Sequence, residues 1–264
     1  MRRRLRWWLA AGILFGVAVP FIPLLLWSMS DRWFYPGLWP QQWGLRAWSY
    51  VFSTAGEQIV AGLFHSLTLA GATAVVSLLI GVPAGRALGL YDFPGKDMIS
   101  VLLTLPVIVP PLCVAMGLHL WFIHLGLAES FAGVVLVHLT FCLPYAVFVM
   151  WGVFSNYNPD FEDQARSLGA SGMAVVVRVM LPMVLPGIVV AGLFSFLLSW
   201  AQYLSTLIIG GGRLMTLPVI LFSLMGSGDR PVAAAVSLVF VLPAFVVLLF
   251  SARYLGRHGL EGVH

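Results

Sequence analysis

The chain has 264 residues, of which 60% are hydrophobic and only 9% are Asp, Glu, Lys or Arg. Because a soluble domain carries about one quarter charged residues, this composition excludes an ordinary soluble protein and predicts a polytopic membrane protein. The formal net charge of +4 does not indicate a nucleic-acid partner, since the basic residues lie scattered at the ends of apolar stretches and form no patch.

Six stretches lack charged residues over a length sufficient to cross a membrane: 7–30, 58–85, 98–128, 130–159, 179–212 and 231–252. A charged side chain at the bilayer centre costs at least ~2.5 kcal/mol, and a spanning helix needs ~20 apolar residues. Each stretch therefore predicts one helix, and the fold class is an all-α membrane protein with six transmembrane helices. The first stretch is too long for the apolar core of a signal peptide, and residues 26–30 contain no A-x-A cleavage site, so we expect an uncleaved span.

The basic residues predict the orientation of these helices. An even number of spans places both termini on one side of the membrane, and ten of the 14 Lys and Arg residues fall on that side. By the positive-inside rule, we expect both termini in the cytoplasm and the chain in the cell inner membrane. The ten are Arg2, Arg3, Arg4, Arg6, Arg86, Lys96, Arg166, Arg178, Arg253 and Arg257, and the other four are Arg32, Arg46, Arg213 and Arg230.

In chain order, residues 1–57 form the first helix and an external segment, residues 58–255 form a core of five helices, and residues 256–264 form a cytoplasmic tail. Aromatic residues in the external segment are typical of a membrane-interface belt. The third stretch contains a proline-rich segment that predicts a kinked helix: Pro106, Pro110 and Pro111. The sequence leaves open whether this kink lies beside a central pathway or serves packing alone.

One long cytoplasmic segment, residues 155–182, separates the fourth and fifth predicted spans. Asn158 as the N-cap and Pro159 at the first helical position predict the start of a short helix, which Gly169 closes as a C-terminal cap. Apolar residues recur on one side of this helix: Phe161, Ala165 and Leu168. The helix has more acidic than basic residues, so anionic lipid would repel it, and a protein partner explains it better.

Polar residues inside the fourth and fifth predicted spans are candidates for lining a pathway through the membrane. The fifth span carries a polar stripe at helical spacing with two aromatic residues beside it: Ser195, Ser199, Gln202, Thr206, Trp200 and Tyr203. The fourth span carries His138. Hydrogen bonding between helices would place polar residues in the same way, so both interpretations stay open. Cys113 and Cys142 fall inside predicted spans, and we expect neither a disulfide nor a metal site.

The cytoplasmic segment resembles the pattern Glu-Ala-Ala-x3-Gly-x9-Ile-x-Leu-Pro of the permease subunits of binding-protein-dependent type I ABC importers. The matching residues keep every spacing: Asp163, Gln164, Ala165, Gly169, Val179, Leu181 and Pro182. Asp163 and Gln164 depart from the pattern, where the family usually has Glu and Ala. Similar residues elsewhere, such as Ser199-Trp200 and Thr216-Leu217-Pro218, extend the resemblance over about residues 58–255. It points to the branch that includes polyamine, sulfate, phosphonate and sugar permeases.

The resemblance implies a coupling helix that docks on a separate ATP-hydrolysing subunit. It implies that these residues make the contact: Phe161, Glu162, Asp163, Gln164, Ala165, Leu168, Gly169, Ala170, Leu181 and Pro182. The sequence contains no G-x-x-x-x-G-K-[ST] motif, so we expect no enzymatic activity and no cofactor in this chain, with ATP and magnesium bound by the partner. The implied partners are two ATP-binding subunits, a second permease of different sequence and an extracytoplasmic substrate-binding protein.

The substrate implied by the resemblance is a small polar solute, of the polyamine or phosphonate kind. The rival interpretation is an autonomous secondary transporter or channel, which predicts ionisable residues near the midplane or inverted repeats, and the sequence shows neither. A membrane-embedded enzyme would need a catalytic cluster such as a His with a carboxylate, and no carboxylate falls in a predicted span.

Overall fold

The computed structural model describes residues 15–34, 36–53 and 56–258, together with residues 8, 12 and 13. Its elements in chain order are α1 (Phe21–Ser28), β1 (Ser30–Arg32), β2 (Gln42–Trp43), α2 (Arg46–Val51), α3 (Glu57–Leu90), α4 (Lys96–Ile108), α5 (Pro111–His124), α6 (Phe131–Ser155), α7 (Asp160–Ser167), α8 (Gly172–Val175), a π-helical segment (Val176–Met180), α9 (Leu181–Trp200), α10 (Leu204–Gly210), α11 (Leu217–Ser227) and α12 (Arg230–His258). The all-α fold class is thus confirmed, with one short antiparallel strand pair, β1 and β2, among these elements.

Four helical runs in the described part of the chain are long and apolar enough to cross a membrane: Glu57–Leu90, Phe131–Ser155, Gly172–Trp200 and Arg230–Tyr254. They correspond to the second, fourth, fifth and sixth predicted spans. The first predicted span is described as an apolar helix only over Phe15–Ser28, which is shorter than a full span. Its beginning, the arginines at positions 2, 3, 4 and 6, and the tail from residue 259 lie outside the described residues.

The third predicted span is broken rather than gently kinked. Helices α4 and α5 meet at an angle of 104°, and counting the pair as one span brings the total among the described residues to five. Val109 has an extended backbone with ψ 135°, as expected for a residue before proline, and Pro111 occupies the first turn of α5. The tandem prolines Pro110 and Pro111 therefore end one helix and start the next in a new direction.

The fifth predicted span is not one helix. The helical run begins at Gly172, passes through the π-helical segment and ends at Trp200, and residues 201–203 are not helical. The chain resumes at α10, which ends where Gly211 takes a left-handed conformation with φ +54°. The prediction of a single polar stripe from Ser195 to Thr206 assumed a continuous helix and is wrong in that respect.

The chain divides into two compact units, one formed by residues 1–64 and 217–243 and the other by residues 65–216 and 244–264. In the larger unit, α3 lies against α6 through glycines at four-residue spacing: Gly81, Gly85 and Gly89. A Cβ atom at Gly89 would lie 2.6 Å from the Cβ of Phe154. Only glycine permits this approach, and the same side of α6 joins α9 in an apolar core that includes Met150 and Val184.

The smaller unit is held by contacts between its external segment and the turn that precedes α12. Arg46 donates hydrogen bonds to both carboxylate oxygens of Asp229, at 2.8 and 3.0 Å. This pair lowers the pKa of Asp229. The Trp27 and Trp33 rings stack with centroids 4.6 Å apart, and the Arg230 guanidinium lies 5.5 Å from the Trp27 ring centre. Trp33 of the predicted aromatic belt therefore packs on Trp27, a ring of the first predicted span that also lies beside a cation.

Candidate functional site

The short cytoplasmic helix α7 begins one residue after the predicted start. The side-chain oxygen of Asn158 accepts a hydrogen bond from the backbone N–H of Asp160 at 2.9 Å, two residues further on. Asn158 makes this contact from the residue before the N-cap, and the acidic residues of the first turn favour the positive end of the helix dipole. The N-cap position is Pro159, which has no side-chain cap, so the prediction of Asn158 as the N-cap is wrong by one residue.

The end of α7 depends on Gly169. Its backbone is left-handed with φ +87°. The N–H of Gly169 donates to the carbonyl of Arg166 at 2.9 Å, and the N–H of Ala170 donates to the carbonyl of Ala165 at 3.0 Å. These two bonds form a Schellman motif, which satisfies the last carbonyls of the helix. Since a β-branched residue rarely adopts this conformation, Gly169 fixes where the helix ends and which way the chain leaves it.

The apolar side of α7 is open. Phe161 is 46% exposed and Leu168 is 89% exposed, while Ala165 is half-buried. These residues line a shallow groove of about 360 Å³ together with residues of the π-helical segment and of the beginning of α9, among them Arg178, Val179 and Pro182. The two halves of the sequence pattern, separated in the chain, thus meet on one surface. Gln164 also lines this groove, and the predicted docking residues Asp163 and Leu181 are exposed as well.

Glu162 differs from the other predicted docking residues because it is buried, with 2% of its surface exposed. Its carboxylate accepts hydrogen bonds from Arg86 at 2.8 Å, Arg166 at 3.0 Å and the Tyr157 hydroxyl at 3.0 Å. The bond from Arg86 is the largest cause that lowers the pKa of Glu162. Burial, followed by the bond to Glu162, raises the pKa of Tyr157 to about 12. The sequence places Glu162 with the docking residues, whereas the structure turns it toward the spans.

Sequence reasoning assigned Arg86 only to the cytoplasmic end of the second span. In the structure its guanidinium also contacts the sulfur of Met180, and it lies 5.8 Å from the ring centre of Phe154. A buried carboxylate needs a cation beside it. The signal available in the sequence was that Arg86 and the segment 155–182 were predicted on the same side of the membrane.

The residues predicted to line a pathway fall into two groups, and the first group forms a buried network. His138 has no exposed surface, and its ring nitrogens lie 2.8 Å from the Ser199 hydroxyl and 2.9 Å from the Thr206 hydroxyl. Thr206 donates to the carbonyl of Gln202 at 2.9 Å, so His138 donates through Nε2 and accepts from Ser199 at Nδ1. Ser195 is buried as well, but its hydroxyl has no hydrogen-bond partner among the described residues. For His138, Ser199 and Thr206 the geometry favours hydrogen bonding between helices.

The second group lies at a cavity. Gln202 and Tyr203, in the non-helical break after α9, line a cavity of about 320 Å³ together with Tyr145 and residues on both sides of the α4–α5 break, such as Pro106 and Pro111. Ser205 donates a hydrogen bond to the side-chain oxygen of Gln202, whose amide nitrogen has no partner among the described residues. Trp200 does not line this cavity; it is buried and stacks on Phe196.

Comparison with known proteins identifies a family. The model of the binding-protein-dependent transport system inner membrane component matches residues 77–258. The chain is 27% identical over 195 residues to the spermidine/putrescine transport system permease protein PotC of Haemophilus influenzae, covering 74% of this chain and 76% of PotC. It is 32% identical over 256 residues to the molybdenum transport system permease protein ModB of Mycobacterium bovis, covering 90% of this chain and 89% of ModB.

Solved structures share the fold. A bacterial ABC transporter involved in the import of the acidic polysaccharide alginate matches with a TM-score of 0.73 at 17% identity, over 96% of this chain and 98% of that one. A bacterial alginate ABC transporter in complex with an alginate pentasaccharide-bound periplasmic protein matches with a TM-score of 0.65 at 15% identity, over 97% and 96%. At these identities the likeness shows the fold alone.

Proposed function

The chain belongs to the family of binding-protein-dependent transport system inner membrane components, and from that premise we propose that it forms a translocation pathway for a small polar solute, driven by ATP hydrolysis in a separate subunit. The observation that carries the proposal is the open apolar face of α7. Exposed apolar side chains gathered beside a groove mark a protein contact. The helix is also fixed at both ends, as a docking element needs to be.

The proposed assembly contains two ATP-binding subunits, which bind ATP and magnesium, and a second permease subunit of different sequence. An extracytoplasmic binding protein delivers the solute from the other side of the membrane. The periplasmic protein in the alginate transporter complex supports this arrangement. We further propose that the chain lies in the cell inner membrane with both termini in the cytoplasm, which a C-terminal fluorescent-protein fusion tests, because such a fusion fluoresces when it stays in the cytoplasm.

A pull-down in mild detergent tests the coupling role. The tagged chain is purified as wild type, as Asp163→Lys and as Asp92→Lys, and each sample is assayed for bound proteins and ATP hydrolysis. Asp92 is a matched control because it is a fully exposed acidic residue, predicted on the same side of the membrane, outside α7. We expect an ATP-hydrolysing subunit in the wild-type and control samples and a reduced amount with Asp163→Lys. Recovery of the chain alone from all samples would contradict the proposal.

For the substrate, we propose a polyamine in preference to a phosphonate. The cavity at Gln202 and Tyr203 has aromatic walls and no Lys or Arg among its lining residues. Aromatic faces attract organic cations, whereas an oxyanion of the phosphonate type would need a cationic side chain or several N–H donors. The similarity to PotC, a spermidine/putrescine permease by name, supports the same choice.

Uptake by cells that express the chain with its partner subunits tests this choice. Labelled spermidine is the probe, with unlabelled putrescine, methylphosphonate and molybdate as competitors. We expect ATP-dependent spermidine uptake that putrescine reduces and the two anions do not. The similarity to ModB, a molybdenum permease by name, makes molybdate the informative competitor. Uptake of molybdate without uptake of spermidine would overturn the polyamine assignment while leaving the permease role in place.

A further inference from the structure

Helix α7 is connected to the rest of its unit by one buried side chain. Glu162 is the only buried residue of α7, and the large apolar residues of the helix, Phe161 and Leu168, are exposed. The helix therefore has no apolar core of its own against the spans. The side-chain contacts that attach α7 to the spans therefore depend on the carboxylate of Glu162.

The partners of this carboxylate belong to different elements. Arg166 lies one turn away on α7 itself, so its bond to Glu162 stays within the helix. Arg86 belongs to α3, and Tyr157 follows the end of α6. These two residues are the ones that connect the carboxylate to the spans.

The Arg86 guanidinium contacts several elements at once. One nitrogen donates to Glu162 on α7, the other contacts the sulfur of Met180 in the π-helical segment, and the group lies near the Phe154 ring at the end of α6. Phe154 and Tyr157 in turn pack edge to face, with ring centroids 5.8 Å apart. A π-helical segment inside a longer helix is frequent at functional sites.

We infer that Glu162 and Arg86 form a fixed joint, through which a movement of α7 is passed directly to α3 and to the helix that continues into α9. Both are positioning residues, and the inference rests on the proposed permease function. Apolar packing is non-directional and lets two helices slide. A charge-assisted hydrogen bond fixes distance and direction, and opening it would leave a buried charge without a partner. The pair therefore stays closed while α7 moves with the ATP-hydrolysing subunit.

Distances between spin labels test the joint in the purified complex with its ATP-hydrolysing subunit. One label is placed at Ser167→Cys on α7 and one at Leu79→Cys on α3, both exposed positions, after replacement of Cys113 and Cys142. We expect one narrow distance distribution, unchanged between the nucleotide-free complex and the complex trapped with ATP, magnesium and vanadate. In Glu162→Gln and in Arg86→Gln we expect loss of the single narrow distance, with the ATP-hydrolysing subunit still bound.

Three controls separate a joint from a general folding role. Asp92→Asn removes a cytoplasmic ion pair with Lys96, which lies outside α7, and should leave the distance unchanged. Arg86→Lys keeps the cation and should restore the narrow distance distribution that Arg86→Gln loses. This comparison tests the joint even if Glu162→Gln does not assemble with the ATP-hydrolysing subunit. The distance distribution of the double variant Glu162→Gln with Arg86→Gln should be no broader than that of either single variant, because the two residues act as one unit.

The inference is overturned if the distance between the labels in the wild type changes with nucleotide. It is equally overturned if the distance distributions of Glu162→Gln and Arg86→Gln are as narrow as that of the wild type. It is also overturned if the distance distribution of Arg86→Lys is as broad as that of Arg86→Gln, or if the double variant is broader than either single variant. A complex in which the wild-type chain binds no ATP-hydrolysing subunit would instead contradict the proposed function, and the joint would then have no movement to pass on.

Discussion

Gly85 of α3 lies against the backbone of Met150 in α6. A Cβ atom at position 85 would be 2.5 Å from the Met150 Cβ and 2.8 Å from its carbonyl carbon. These contacts involve the main chain and the first side-chain atom, so no rotation of a flexible side chain relieves them. The two helices approach this closely because position 85 has no side chain.

Gly85→Ala is expected to destabilise the protein by about 1 to 3 kcal/mol, the usual cost of overpacking. Gly71→Ala on the same helix is the matched control, because a Cβ there meets nothing within 4 Å. Alanine at position 71 should be neutral or slightly stabilising, since it favours the helix. Thermal unfolding of both variants in detergent checks the difference, and equal midpoints would contradict the close approach of α3 and α6.

Gly169→Val should uncouple ATP hydrolysis from uptake. Valine in a left-handed conformation costs about 1 to 2 kcal/mol, so the Schellman motif would rearrange and shift the docked helix. The measurement is the amount of solute taken up per ATP hydrolysed in the reconstituted complex. Gly172→Ala is a control, because Gly172 is helical and a Cβ there meets nothing within 4 Å. Unchanged transport with Gly169→Val would count against α7 as the coupling helix.

His138→Leu should lower stability without a selective effect on transport. The change removes the acceptor of the Ser199 hydroxyl and the donor to Thr206, at a cost of about 1 kcal/mol for a network inside a membrane bundle. Thermal unfolding and uptake per assembled complex are measured together, with the exposed His124→Leu as control. Normal stability with reduced uptake per complex would assign His138 to the pathway.

Gln202→Leu should change transport without lowering the stability of the protein. Its amide nitrogen has no partner among the described residues, and the side chain lines the cavity beside the α4–α5 break. We expect altered spermidine uptake by a normally assembled complex, measured as initial rate per complex after size-exclusion chromatography. A defect confined to assembly would indicate that Gln202 also serves packing.

The free energy of unfolding of the protein should decrease at acidic pH because Glu162 becomes protonated. Its pKa is lowered from the usual 4.5, so its contribution is complete above pH 4.5 and is lost as the pH falls through the lowered pKa. The unfolding midpoint of the wild type should therefore decrease more steeply in acid than that of Glu162→Gln, which carries no titrating group there. Parallel pH profiles for the two proteins would show that the buried carboxylate does not contribute in this way.

Several features follow from local sequence because their causes lie within a few residues. Apolar stretches between charges indicated the long helices α3, α6 and α12, since a charge cannot lie cheaply in the bilayer core. The start of α7 was predictable to within one residue and its end was predictable at Gly169, because the Asn158 contact reaches two residues forward and a Schellman motif closes within six. The proline pair indicated a bend, although its 104° angle depends on how both helices pack.

The tertiary structure decided which polar residues face inward. Glu162 pairs with Arg86 across 76 positions, and His138 pairs with Ser199 across 61. Helical spacing shows that residues share one side of a helix, but it does not tell which neighbour covers that side. Helical spacing also does not reveal the non-helical break at residues 201–203, because the residues there are compatible with a continuous helix as well as with a break. The sequence by itself determined the all-α fold class, the order of the long apolar helices and the end of α7 at Gly169, whereas burial and pairing depend on contacts between distant segments that only the folded chain brings together.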